Sequence, residues 1–339
     1  MDLLLSTPRT TVTTSIPTRF RKGRFLDIPA EATWWEKEAH LHRARLLDVA
    51  RRSTQAIAVL QSAVILHGGS LKHPPRQAHV HTSWHRKPMK TGGPSFFALN
   101  PRDRRERLAR RPVVNHRMEL DEDQLVIIDG IPTTDLLQTM ELAARFLAPD
   151  DALIALDSLL AIAVARRPHW RDDRLSLERE ARVVLTRILH SLEKHRGQRG
   201  YRQARELLAV ATALAESPFE SEMRRIALAA GYSQIEPQVE VRTRVGVRWV
   251  DLGIPGVRRG IEINGAIKYE GGAGRLQREK EAARRADLAE VGFTVHDVDA
   301  SSIADVPQML KLLGECFPEQ RDLHGRPALW TPAERARFR

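Results

Sequence analysis

Glu220, Asp251 and Glu262 are the residues whose types could do chemistry together, and Asn264, Gly265 and Lys268 follow closely. Clustered carboxylate oxygens are what a hard divalent cation such as Mg²⁺ requires. A nearby ammonium group can orient water or offset charge on a phosphate. Such a set suits hydrolysis of a phosphodiester, provided the fold brings the three carboxylates to one place.

The local sequence predicts elements that could do so. Ser217-Pro218-Phe219-Glu220 reads as an N-cap, a proline at the first helical position and a glutamate at the third, which is a capping box. A capping-box glutamate needs no catalytic role, so this is the plain structural alternative for Glu220. Phe219, Met223, Ile226, Ala227 and Ala230 repeat at helical spacing and Gly231 supplies the stop. Pro237 opens a strand in which Val239, Val241, Thr243 and Val245 alternate with polar residues, and Gly246 punctuates it. A second strand, Val247 to Leu252, carries Asp251, and after the Pro255-Gly256 turn a third carries Glu262 between Ile261 and Ile263. A carboxylate inside an apolar strand is costly unless it binds something. Neighbouring strands lie about 4.8 Å apart, so Asp251 and Glu262 can meet around one ion if their strands pair. A glycine-rich loop, Glu270 to Gly274, leads into a charged helix of about 15 residues, and Phe293 to Val298 reads as a fourth strand.

Helix, three strands, helix, strand, carrying Glu220-Ser221, Val250-Asp251 and Glu262-Ile263-Asn264-Gly265 with Lys268 beyond, resembles the PD-(D/E)xK nuclease fold. Within it the pattern is similar to the branch of very-short-patch-repair endonucleases, over roughly a quarter of the chain. The resemblance implies a Mg²⁺-dependent deoxyribonuclease, with Mn²⁺ as a substitute. Asp251 and Glu262 would bind the metal together with the Ile263 carbonyl, and Glu220 would hold a second ion or a metal-bound water. Lys268 would orient the attacking water, Asn264 would be a secondary site residue, and Lys280, Arg284 and Arg285 would contact DNA phosphates. Asn264 stands where the branch usually has aspartate, which removes one negative charge from the site.

The whole chain has 339 residues, which predicts about two domains. It carries 54 Lys and Arg against 43 Asp and Glu, a net charge of +11. Such a surface favours a polyanion, nucleic acid first, with an arginine-rich composition bias as the plainer alternative. Cys316 is the single cysteine, which excludes a disulfide framework and a cysteine zinc cluster. No apolar run approaches the ~20 residues of a membrane span, and the N-terminus shows no charged-then-apolar signal pattern. A cytoplasmic protein with no membrane partner is the expectation.

In the first half, Arg19 to Pro29 is expected to form a short basic hairpin or strand, a helix to follow from Ala32, and a second apolar helix to cover Thr54 to Leu66. His73, His79, His81 and His85 cluster without a carboxylate or cysteine, which favours a polar strand over a metal site. Arg102, Arg104, Arg105, Arg107, Arg110 and Arg111 form a basic run that could grip phosphates or be a solvated linker. Helices are expected at roughly 135–147 and 151–165. Ser62-Ala63, Leu66-His67-Gly68 and Gly130-Ile131-Pro132-Thr133-Thr134 resemble the body of AbiEi-type antitoxins, in which a winged-helix DNA reader comes first. Here residues 18–30 resemble only its wing, and too little chain precedes them for a full helix-turn-helix.

The fold class expected is therefore α/β, α+β overall: an AbiEi-like region at 1–130, a basic helical bridge at 131–215, a nuclease-like αβββαβ core at 216–317, and a partly disordered tail at 318–339 with Trp330 as a packing anchor. The function expected is cleavage of duplex DNA by a cytoplasmic enzyme, as a monomer or a homodimer. The alternative is a non-catalytic DNA-binding regulator or antitoxin with a degenerate nuclease fold, and an RNA-directed nuclease or a helical scaffold stands third.

Overall fold

The structure, a computed structural model, describes residues 15–21, 24–53, 55–82, 113–265, 272–322 and 325–338. Lys268, His85 and the arginine run from Arg102 to Arg111 lie outside the described residues. The chain is α+β and divides into two compact units, one of residues 1–58, 74–119 and 127–133, the other of residues 59–73, 120–126 and 134–339. Among the described residues no helix is long and apolar enough to cross a membrane.

The first unit is richer in strand than expected. β1 (Ser15–Arg21) and β2 (Arg24–Pro29) form the antiparallel hairpin expected around Arg19 to Pro29. Helix α1 (Trp34–Arg52) starts at a true capping box. The Glu36 amide donates to Thr33 Oγ1 and the Thr33 amide donates back to the Glu36 carboxylate. A sheet in the order β5-β4-β3-β7-β6 follows, made of β3 (Ile57–Ala58), β4 (Ala78–His81), β5 (Val113–His116), β6 (Leu125–Ile128) and β7 (Ile131–Thr134). The continuous helix expected over Thr54 to Leu66 is not formed. Ile57 and Ala58 pair with His81 and Val80, and in the second unit Leu60 turns the chain at φ +52 and α2 occupies only Gln61–Leu66. Ala58 and Val59 are wholly buried, and a fully buried apolar run reads the same as strand or helix.

The histidine strand behaves as a polar strand. His79 Nδ1 lies 2.9 Å from Nε2 of His116 on the neighbouring strand, with the rings stacked. Burial first, and the second imidazole next, push the His79 ring down to a pKa of about 4. The two rings are thus a neutral hydrogen-bonded pair at neutral pH.

In the second unit the helices expected as a bridge share one compact body with the nuclease-like segment. They are α3 (Leu136–Phe146), α4 (Pro149–Ala163), α5 (Arg174–Leu192) and α6 (Tyr201–Val210), with Leu153, Leu156, Leu159 and Leu160 of α4 wholly buried. Next come α7 (Pro218–Ala230), β8 (Glu236–Thr243), β9 (Gly246–Gly253), β10 (Arg259–Asn264), α8 (Gly272–Glu290) and β11 (Thr294–Asp299), the expected order of elements. The sheet runs β11-β10-β9-β8, antiparallel except for the parallel β10–β11 pair. On one side Val241 and Val250 pack with Leu288 of α8 and with Phe293.

Among the described residues of the tail, short helical segments form at Pro327–Leu329 and Pro332–Arg337. After α9 (Val306–Cys316) the chain returns to α7, where Trp330 is buried and α10 (Pro332–Arg337) supplies Glu334. The anchor is Arg225 of α7, which has no exposed side-chain surface. It is bound by Glu222, by both oxygens of Glu334 and by the Leu329 carbonyl. Of the tail's polar residues, Glu334 is a partner of that buried guanidinium. Removing one member of a buried charge network strands the others. Arg225→Ala is therefore expected to cost about 3 kcal/mol or more, measured by urea unfolding, and to make the segment after Phe317 sensitive to protease.

Candidate active site

Gln238 is the residue around which the acidic side chains gather, and sequence reasoning missed it. Its neighbours Pro237 and Val239 pair with Leu252 and Val250, while Gln238 itself drops out of the ladder at φ +52. A non-glycine residue in the left-handed region is strained, and such strain marks places where a side chain has been re-aimed. Here the side chain is buried, 2% exposed. Its carboxamide nitrogen donates to Glu220 Oε2 at 3.2 Å and to Asp251 Oδ1 at 3.3 Å. Arg171, which can only donate, binds Gln238 Oε1 at 2.7 Å, and this fixes which end of the amide faces the carboxylates.

Each carboxylate arrives from a different element. Glu220 lies in the first turn of α7, where Ser217 Oγ accepts from the Glu220 amide. The reciprocal half of the expected capping box is not made. The Glu220 carboxylate instead accepts from the Glu216 amide at 3.0 Å and reaches Gln238. Asp251 leaves β9 and accepts at Oδ2 from the Ile263 amide on β10, 2.9 Å away. The β9–β10 pairing ends at Ile261↔Leu252, so this side-chain bond takes over where the next rung would stand. Ile263 thus meets the site through its N–H. Glu262 is buried and is held by both outer nitrogens of Arg284 at 2.9 Å.

Burial sets the electrostatics. It is the largest cause of a raised pKa at Glu220 and at Glu262, each pushed up to about 7, and the Asp251 charge adds to both. Asp251 is also raised, chiefly by burial, against the pull of the Ile263 amide and the Arg284 charge. Burial alone would lower the Arg284 guanidinium, but its bonds to Glu281 and Glu262 hold it above its ordinary value. Two further cations stand beside Gln238: Arg171, paired with Glu216, and Arg174, bonded to the Gln238 carbonyl. Both guanidinium groups lie over the Trp249 ring.

Arg284 and Arg285, expected to contact DNA phosphates, both have partners within the protein. Arg284 is the internal counter-ion of Glu262, bonded also to Glu281 and to the Trp249 carbonyl. Arg285 pairs with Glu281 and with Asp297 of β11. Asn264 donates to the same Asp297 oxygen at 2.8 Å. Lys280 lies on α8, its side chain outside the described residues.

The donors suit Mg²⁺ or Mn²⁺ in kind, since all are hard oxygens. Their present bonds are closed, however. Among the described residues no three His, Cys, Asp or Glu side chains are arranged to hold an ion. Arg284 takes the place of a cation at Glu262, so metal binding there requires that guanidinium to let go.

No family model matches the chain, and no solved structure matches it. Two proteins of Mycobacterium tuberculosis, from strains CDC 1551 / Oshkosh and ATCC 25618 / H37Rv and both described as uncharacterized, are each 30% identical to it over 183 residues. The match takes in 53% of this chain and 66% of each relative, so the chain spans just under two thirds of the relatives' length.

A carboxyl whose folded pKa lies above its unfolded value holds its proton better in the folded state. Its penalty is absent below the unfolded pKa, near 4.5 for Glu220, grows as pH rises, and is complete above about 7. Without metal, Glu220→Gln is expected to stabilise the protein at pH 8, by up to about 3 kcal/mol for a shift of this size, and to have little effect near pH 4.5. Urea unfolding at the two pH values measures the difference.

Proposed function

We propose that the chain is a metal-dependent deoxyribonuclease acting on duplex DNA in the cytoplasm. The observation that carries this reading is that one buried Gln238 amide holds Glu220 and Asp251, with Glu262 close enough to Asp251 for the Asp251 charge to raise its pKa. Glu220 and Glu262 are buried and Asp251 is half-buried, so three carboxylates from three elements share one poorly solvated place. Such a centre gains from a divalent cation, and burying it without one has only a cost. Asp251 and Glu262 would hold Mg²⁺, with Mn²⁺ as a substitute, and Glu220 would serve a second ion or an ion-bound water. When bound, the ion supplies Lewis acidity and a water of lowered pKa.

The chain's own residues do the positioning. Gln238 holds Glu220 and Asp251 at a fixed separation, and Arg171 fixes the amide in turn. The Ile263 amide orients Asp251 toward β10. Arg284 neutralises Glu262, and outside that pair its guanidinium would match a phosphate in shape and charge.

A second reading has its own support. The bidentate Arg284–Glu262 pair, together with Asn264 in place of aspartate, also suits a site that has given up its metal. The chain would then be a non-catalytic DNA-binding regulator or antitoxin.

Two measurements separate these readings. In a plasmid-nicking assay with Mg²⁺ or Mn²⁺, Asp251→Ala is expected to lose more than about 100-fold in rate, beyond what loss of an outer partner costs. Equal nicking by both proteins would remove Asp251 from the mechanism. In calorimetry, Arg284→Gln is expected to bind Mn²⁺ severalfold more tightly than the wild type. Absence of Mn²⁺ uptake by either protein would favour the regulator.

A further inference from the structure

Arg284 and Arg285 are held in ion pairs, whereas another part of the second unit presents arginines without such partners among the described residues. A cavity of about 1380 Å³ lies between the C-terminal end of α3, the turn before α6 and the chain that returns after Gly325. Seven of its lining residues are arginines and Glu206 is the one acidic residue among them. Glu206 is already paired with Arg326. Arg196, Arg199 and Arg202 are exposed, and among the described residues none of them pairs with a carboxylate.

The turn that presents them is built rigidly. Gly197 and Gly200 lie at φ +80 and +84. A side chain at Gly200 would meet the Arg145 carbonyl at 2.3 Å, so the turn is seated against α3. Gln198 Oε1 accepts from Arg145 at 3.1 Å and lies 3.0 Å from His195 Nδ1, which locks the centre of the turn. Helix α6 then starts at Gly200 with no side-chain cap, its positive end adding to the field of the arginines. Like charges held together on a fixed turn repel one another, and a polyanion relieves that repulsion. The cavity exceeds the ~300–1,000 Å³ of a typical small-molecule site. An extended ligand fits it better than a single nucleotide.

We infer that the cavity flanked by Arg196, Arg199 and Arg202 is the surface that grips the phosphodiester backbone of duplex DNA, independently of base sequence. This inference rests on the reading of DNA as the partner, but not on any chemistry at Asp251. The three arginines are exposed, so an Arg196→Ala/Arg199→Ala/Arg202→Ala variant is expected to fold as the wild type does.

The test is the salt dependence of binding to a labelled duplex. Each phosphate contact contributes about 0.9 to the slope of log K against log salt. The triple alanine variant is therefore expected to bind more weakly, with a slope shallower by roughly 3, whereas the triple lysine variant keeps the slope. Asp251→Ala is expected to bind as the wild type does. Wild-type affinity and slope in the triple alanine variant would overturn the inference. So would uptake of a free nucleoside triphosphate, lost in the variant, by a protein that does not retain duplex. Groove-dependent retention of duplex by a wild type that never nicks DNA would uphold the inference and defeat the nuclease reading alone.

Discussion

Much of the second unit is arranged to keep negative charge out of water while lending it hydrogen bonds. Glu220, Asp251 and Glu262 are all substantially buried, and burial is what raises the proton affinity of each. A bare cluster of this kind would push itself apart or take up protons. The Gln238 amide, the Ile263 and Glu216 amides and the Arg284 guanidinium hold it together. The irregular features nearby serve this constraint. Gln238 is strained so that its amide can reach two carboxylates, and the β9–β10 ladder gives way to a side-chain bond beside Glu262. Partly satisfied polar networks are unstable in a core, so each of these devices depends on the others.

A second buried charge network lies further along the same helix. Glu222 faces Lys72 and Arg225, and Arg225 passes the connection to Glu334 of the tail. Lys72 also pairs with Asp150 at the start of α4. One turn of α7 therefore presents Glu220 to the candidate site and Glu222 to the network that seats the C-terminal segment. Buried ion pairs of this quality specify an arrangement more than they stabilise it. What they specify here is the rotational setting of α7, on which the direction of Glu220 depends.

Most of the core elements were legible from periodicity and punctuation. The proline and serine before α7, the alternation in β8 and the glycines at 231 and 246 located helix and strands. The carboxylates in apolar strands were legible because water-loving groups there demand a reason. Gln238 gave no such signal, since a glutamine in an alternating strand looks like its solvent-facing half. Its role depends on a backbone angle that only the folded chain shows. Arg284 was visible as a charge on a helix, but its partner is 22 residues away in sequence. The tail misled for the same reason: Glu334 and Arg225 are 109 residues apart. Local rules see the residue and not its distant partner.

Asn264 shows how far such a distance can alter the meaning of a substitution. Under the nuclease resemblance, asparagine where that pattern has aspartate would remove a charge from the proposed site. In the fold its amide donates to Asp297 of β11 at 2.8 Å, and Asp297 also accepts from Arg285. The β10–β11 register places Glu262 beside Asp297 and Asn264 beside Asp299. An aspartate at 264 would bring a second carboxylate against Asp297 at hydrogen-bond distance, a contact that needs a shared proton or a cation to be tolerable. Asp297, one strand away, carries the negative charge that Asn264 meets. Asn264 and Asp297 act as a matched pair, and the local charge balance must be counted over both.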